Sequence, residues 1–468
     1  MVNGTRTGGH GTRSGGNEPC TGGDGPRAGA NGPRTSANRA GTDAGFDAWF
    51  AERARVNEQR VETIPFSALS GWDFDPATGD LRHHTGRFFS VRGLHVRPAG
   101  PGGPPGWSQP IIDQPEIGVL GILARTFDGV RHFLLQAKAE PGNINGVQLS
   151  PTVQATRSNY TRVHRGGSVR YLEHFTDRRG RVLVDVLQSE QGSWFLRKRN
   201  RNMVVEVDDD PPVHDDFRWF TLDEIRALLH RDNLVNMDAR TVLSCLPPEH
   251  PADEHGALHS LTEVTGWFTE AKTRCEMTAE VVPLTGITGW RRTPTEIASE
   301  DGGRFRVIAV DVTAPHREVP AWTQPMLAPC AQGLAALLYR TIGGVPHFLV
   351  QAQAQEGCLD KLEIGPTVTR VPGEHGGLPA DMRSPFRDVL DSLSPDRIRY
   401  DRVQSEEGGR FFAAETRYVI AELDEDFPTE VPSRFCWATP GQLKELLRHS
   451  HYVNIEARTL VACAEALA

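Results

Sequence analysis

Much of what usually announces a protein's chemistry is missing from this chain. No lysine follows a glycine anywhere, so there is no phosphate-binding P-loop. There is no HExxH zinc motif. There is also no acidic REUxEE run of the kind that holds magnesium on a pyrophosphohydrolase helix, so metal-assisted phosphate hydrolysis lacks its ligands and no metal or other cofactor is expected. The seven cysteines (Cys20, Cys245, Cys275, Cys330, Cys358, Cys436 and Cys463) are odd in number and form no CxxC pair. A disulfide framework is not expected, and a reducing cytoplasm is the expected compartment. No run of about 18 apolar residues exists to span a membrane, and no apolar signal core opens the sequence, so neither membrane insertion nor secretion is expected. With 51 Lys+Arg against 60 Asp+Glu, the net charge of -9 leaves no basic excess for a nucleic-acid partner. A small anion held by a few local arginines remains compatible with it.

The 468 residues are enough for two or three domains. Residues 1–42 are mainly Gly, Arg, Thr, Asn and Ser. Such a segment cannot bury enough apolar surface to offset its ordering entropy, and is expected to be disordered. Its Gly23-Asp24-Gly25-Pro26-Arg27-Ala28 fits a GxGxxA pattern, but no strand precedes it and Pro26 sits inside it, so it is set aside.

The rest is a repeat. Trp107-Ser108-Gln109-Pro110 recurs as Trp322-Thr323-Gln324-Pro325, and His132-Phe133-Leu134-Leu135-Gln136-Ala137 as His347-Phe348-Leu349-Val350-Gln351-Ala352. Pro151-Thr152-Val153 returns at 366–368 and Gln188-Ser189-Glu190 at 404–406. Val235-Asn236 with Ala239-Arg240-Thr241 returns at 453–459. The offset drifts only from about 215 to about 218, so a whole domain is duplicated. The expected units are residues 43–246 and 260–468, joined by a polar linker over 247–259.

Local signals agree between the copies. Each opens with an amphipathic helix, carried by Phe46, Trp49, Phe50 and Ala54, then by Val264, Trp267, Phe268 and Ala271. Asp128-Gly129 and Gly343-Gly344 suit tight hairpin turns. A second hairpin is expected to join 182–188 to 194–198 through Gln191-Gly192. Thr221 and Thr439 open capping boxes, and Asn236 and Asn454 are placed to cap the last helices. The sum is an α+β fold with a mixed sheet and flanking helices.

Several polar residues could carry chemistry. Period-2 alternation puts Gln188 and Glu190 on one sheet face, as it does Gln404 and Glu406. A carboxyl there is either a general acid or base with a raised pKa or a solvated strand end. The stretch 143–159, with Asn143, Gln148, Thr152 and Gln154, offers amides and hydroxyls for a sugar or base, or is simply a polar loop and edge strand. Arg201, flanked by Asn200 and Asn202, and its counterpart Arg417 either grip a diphosphate or form surface ion pairs. Trp107 and Trp322 either stack on a ligand or pack a core.

These motifs resemble the NDP-hexose 2,3-dehydratases of antibiotic deoxysugar pathways. The resemblance is carried by Trp107-Ser108-Gln109-Pro110-Ile111-Ile112, Lys138-Ala139-Glu140-Pro141-Gly142-Asn143 and the run from Gln148 to Thr156. Ser158-Asn159-Tyr160, Gln188 to Gly192 and Asn200-Arg201-Asn202-Met203 complete it. It implies two Nudix-like halves, a homodimer and a dTDP-linked 4-keto-6-deoxyglucose as substrate. It also implies loss of the C2 hydroxyl with the C3 proton, and a 3-ketoreductase that takes the 3,4-diketo product. Within it Glu190 is expected as base or acid and Tyr160 as proton donor. Trp107, Gln109, Asn143, Gln148, Thr152, Gln154, Gln188, Asn200, Arg201 and Asn202 are expected as binders. The second copy lacks the tyrosine and has Thr416 for Asn200, so it is expected to bind nucleotide through Trp322, Thr367, Glu406 and Arg417, or to stabilise a dimer. A nucleotide-sugar hydrolase or a non-catalytic nucleotide-sugar scaffold are the alternatives.

Overall fold

The computed structural model describes residues 43–98, 105–156, 169–248, 256–317, 319–370 and 384–465. The expected disorder of 1–42, the expected proton donor Tyr160 and most of the linker lie outside them. Among the described residues no helix is long and apolar enough to cross a membrane.

The fold is α+β, with two similar sheet-rich halves. Each half carries a mixed sheet, seven-stranded among the described residues. In the first, Gly118–Phe127 runs antiparallel to Val130–Ala139 and parallel to Arg199–Glu206, which pairs in turn with Arg181–Ser189. Gly333–Ile342, Val345–Ala354, Glu415–Glu422 and Ile398–Ser405 repeat this order. The hairpins close as expected, because Asp128 (φ 49°), Gly129 (82°), Gly343 (60°) and Gly344 (83°) all adopt the left-handed backbone a two-residue turn needs. The opening helices Asp43–Val56 and Leu261–Thr273 bury Phe46, Val264 and Phe268. Both capping boxes form, and Asn236 and Asn454 accept from the amides of Ala239 and Ala457 at 2.8 and 2.9 Å.

The second hairpin differs from expectation. The strand that returns to Arg181–Ser189 starts at Arg199, not at Trp194. Trp194 and Phe195 are apolar because they fill a core between the copies, where the Trp194 ring meets Phe411 at 4.3 Å between centroids. Burial in a turn and burial in a strand leave the same mark on a short apolar run.

The halves are interleaved. Arg60–Ile64 of the first copy pairs with Phe305–Thr313 of the second, and Thr278–Val282 of the second pairs with Ser90–Arg97 of the first. Three hydrophobic clusters draw buried residues from both copies. The final helices Met237–Ser244 and Ile455–Ala464 meet through buried arginines. Arg240 donates to the carbonyls of Val235 (2.6 Å) and Ser405 (2.8 Å), and Arg458 repeats this on Val453 (2.6 Å) and Ser189. This matched exchange defines an internal pseudo-two-fold axis and delivers each Gln-Ser-Glu motif to it.

Candidate functional site

Glu190 sits one residue past the strand Arg181–Ser189, anchored by its amide on the Lys198 carbonyl at 3.0 Å. The residue is 4% exposed. Asn200 Nδ2 donates to Glu190 Oε1 at 2.6 Å, and Asn200 Oδ1 is fixed by the Gly118 amide at 3.1 Å. Any side chain at Gly118 would crowd that oxygen. Glu190 Oε2 is buried with no protein partner among the described residues. Burial raises this carboxyl above the ordinary range, against the pull of Arg458, Lys198 and Asn200.

Other ionisable groups surround it. Burial brings Lys198 down to about 8, with Glu190 opposing and Arg410 adding to the shift. Its Nζ donates to the Glu116 carbonyl. Glu140 accepts from Lys138 Nζ at 3.1 Å and from Gln154 Nε2 at 2.9 Å. Asp238, in the first turn of Met237–Ser244, is 3% exposed, and burial together with Glu190, Glu407 and Glu140 raises its carboxyl well above the usual value. Glu407, from the second copy, is pushed up to about 7 by burial, with Glu140 and Glu190 adding and Arg410 and Lys138 opposing. Carboxyls that feel one another in this way share protons as a set. Asn143 Oδ1, Gln154 Oε1, Asp238 Oδ1 and Glu407 Oε2 join Glu190 Oε2 as buried acceptors with no protein donor among the described residues. Acceptors left open in this way suit a ligand rich in hydroxyl donors. Among the described residues no group of three or more His, Cys, Asp or Glu is disposed to hold a metal ion.

Of the residues singled out from sequence, Glu190, Asn200, Asn143 and Gln154 belong to this region. Gln148 reaches Ser405 Oγ across the pseudo-axis at 2.6 Å, and Gln188 donates to the Leu447 carbonyl at 2.8 Å, so both join the copies. Asn202 is fully buried against Thr241 Oγ1 at 3.1 Å. Trp107 Nε1 donates to Gln109 Oε1 at 3.0 Å, and Gln109 Nε2 holds the Ser193 carbonyl at 2.8 Å. Trp322 and Gln324 repeat this pair.

Two expectations are corrected. Alternation along Arg199–Glu206 turns Arg201 to the face opposite Asn200, where it forms a two-pronged ion pair with Asp185, both contacts at 2.7 Å. Arg417 does the same with Asp401, so neither is positioned as a diphosphate grip. Thr152 does not present its hydroxyl to a ligand. It accepts from the Leu123 amide at 2.9 Å and donates to the Leu134 carbonyl, and Thr367 repeats the bridge between Leu338 and Leu349.

The second copy lacks the charged set. Gln353, Gln355 and Ala414 stand where the first copy has Lys138, Glu140 and Lys198. Glu406 is engaged by Gln191 Nε2 at 2.8 Å and Tyr418 Oη at 3.0 Å. The space beside it, lined by Gln191, Trp194, Thr416 and Glu456, amounts to about 10 Å³, room for about one water. Sequence reasoning passed over Lys138, Lys198, Asp238, Glu407 and Arg410. The signal that marks four of them is the contrast between copies, charged in one and not at the matching position of the other: Lys138 against Gln353, Lys198 against Ala414, Glu407 against Gln191 and Arg410 against Trp194.

A family model described as NDP-hexose 2,3-dehydratase matches this chain twice, over residues 43–246 and 261–464. A relative from Saccharopolyspora spinosa, named dTDP-4-dehydro-6-deoxy-alpha-D-glucopyranose 2,3-dehydratase, is 51% identical over 443 residues, covering 90% of this chain and 91% of its own. A protein of the same name from Amycolatopsis orientalis is 50% identical over 426 residues, covering 90% of each chain. Among solved structures, a C. elegans Ap4A hydrolase covers 29% of this chain and 96% of its own, at 12% identity and a TM-score of 0.20, a likeness too slight to carry an argument.

Proposed function

The chain belongs to the NDP-hexose 2,3-dehydratase family, and we propose that it removes water across C2 and C3 of a dTDP-linked 4-keto-6-deoxyglucose, yielding the 3,4-diketo-2,6-dideoxy sugar. The observation that carries this reading is the buried carboxyl of Glu190, raised by desolvation and set among open acceptors. A proton beside a ketone is acidified by it, so one carboxylate whose basicity burial has raised suffices as base. Glu190 takes the C3 proton. Tyr160 donates a hydrogen bond to the developing C4 oxyanion, with Asn200 keeping Glu190 aimed. Lys138 and Lys198 supply the positive side of the site, where we place the diphosphate.

We read each half as a Nudix-like scaffold that has exchanged hydrolysis for elimination, with 43–246 as the catalytic unit and 260–468 serving nucleotide binding or dimer contacts. A homodimer in the cytoplasm, passing its reactive product to a 3-ketoreductase in an antibiotic sugar pathway, completes the proposal. The test is turnover of dTDP-4-keto-6-deoxyglucose with a 3-ketoreductase present to trap the product. A 2-deoxy sugar nucleotide is expected. Recovery of unchanged substrate, or release of dTMP, overturns the assignment.

A further inference from the structure

The pseudo-two-fold axis does more than join the copies, because each lends the other a turn. The 407–411 turn of the second copy caps the Glu140–Gly142 loop of the first. The Gly142 amide donates to the Gly408 carbonyl at 2.7 Å, and the Ala413 amide to the Gly142 carbonyl at 2.9 Å. The 191–195 turn of the first copy caps the second in the same way, through Gly357 to Gly192 at 2.8 Å and Arg197 to Gly357 at 2.6 Å. The approach is close enough that a methyl on Gly142 would run into the Phe411 carbonyl.

What each turn delivers differs. The second copy receives Gln191 and Trp194, neither of which ionises. The first receives Glu407 and Arg410. Glu407 lies beside Glu140: a methyl built on Gly409 would touch one Glu407 oxygen and stand 3.8 Å from Glu140 Oε1. Glu407 Oε2 is buried with no protein partner among the described residues. Arg410 is anchored by Gln114 Oε1 at 3.1 Å and by the Gly409 carbonyl at 2.8 Å, with its guanidinium 4.5 Å from the Phe89 ring centre.

We propose that the first copy's site is completed by the second, with Glu407, carried on the borrowed turn, as its second proton-transfer carboxyl. The inference rests on the dehydratase reading and deepens it. Glu190 takes the C3 proton, and the C–H electron pair forms the C3=C4 bond as the carbonyl pair moves to the C4 oxygen. The carbonyl re-forms, the pair moves to C2=C3, and the C2–O bond breaks. Glu407 gives its proton to the departing oxygen, which leaves as water. The product at this point is an enol with its hydroxyl on C3. Glu190 then returns its proton to C2 while Glu407 takes the C3 hydroxyl proton. Both carboxyls are thereby restored and no oxidant is needed. The groups facing Glu407 are Glu140, Glu190, Asp238, Lys138, Lys198 and Arg410, a balance under which it is pushed up to about 7 and can hold the needed proton near neutral pH.

The test uses the full-length chain, with substrate in deuterated water. Glu407→Gln is expected to lower trapped-product turnover about 100-fold or more, to keep substrate affinity within about threefold, and to keep exchange of the C3 proton, because Glu190 still works. Glu190→Gln is expected to lose both exchange and product. A structural role for Glu407 would lower exchange and product together, and that outcome, or wild-type turnover in Glu407→Gln, overturns the inference. Should Glu407→Gln fail to fold by circular dichroism, Glu407→Asp decides: retained exchange with slowed elimination supports the proposal, and an equal loss of both overturns it. Absence of product from the wild-type chain overturns the dehydratase reading itself.

Discussion

At the scale of single residues, the hydroxyl of Thr152 and the carboxyl of Glu456 make distinct claims. Thr152 ties the Leu123 amide to the Leu134 carbonyl inside the sheet. Thr152→Val keeps the shape but leaves both backbone groups unpaired, and should cost about 1–3 kcal/mol in urea unfolding. A raised KM with unchanged stability would instead return Thr152 to the binding set. Glu456 is held up to about 7 by burial, with Glu406 adding, against an ordinary 4.5. The folded chain therefore binds more protons than the unfolded chain across that interval, so its stability falls as pH rises through it. The urea midpoint should drop between about pH 4.5 and about pH 7, and less so in Glu456→Gln. A wild-type midpoint that rises over that range would contradict the assignment. Arg201 shows where sequence left a choice: a strand arginine grips a phosphate or a carboxylate with the same fork, and only Asp185 on the neighbouring strand decides.

Among elements, those closed by local chemistry were legible. Asp128-Gly129 and Gly343-Gly344 announce their turns through backbone freedom, and Asn236 and Asn454 announce helix starts through the amides they accept from. The Trp194 turn was not legible, since its apolar run serves a long-range contact. Trp194 is 1% exposed and packs on Phe411 of the other copy. Trp194→Ala should therefore destabilise the whole chain by about 3–5 kcal/mol, read from thermal or urea melting. A change under about 1 kcal/mol would place that ring outside the shared core.

Over the whole molecule, duplication was written plainly in the order of motifs, yet the interleaving was not. Arg60–Ile64 and Thr278–Val282 occupy equivalent places in the two copies, so either could pair with either sheet by pattern alone. The same degeneracy hid Arg240 and Arg458, which read as repeated letters until their carbonyl partners on the opposite copy were seen. The molecule combines a symmetric scaffold with an asymmetric charge distribution: both copies keep the Gln-Ser-Glu motif, and the first alone surrounds it with Lys138, Glu140 and Lys198. The most direct test of this asymmetry is the turnover number of Glu190→Gln measured beside that of Glu406→Gln, with trapped product as readout. A loss of about 100-fold or more is expected for Glu190→Gln and a far smaller one for Glu406→Gln. Equal losses in the two variants would contradict it.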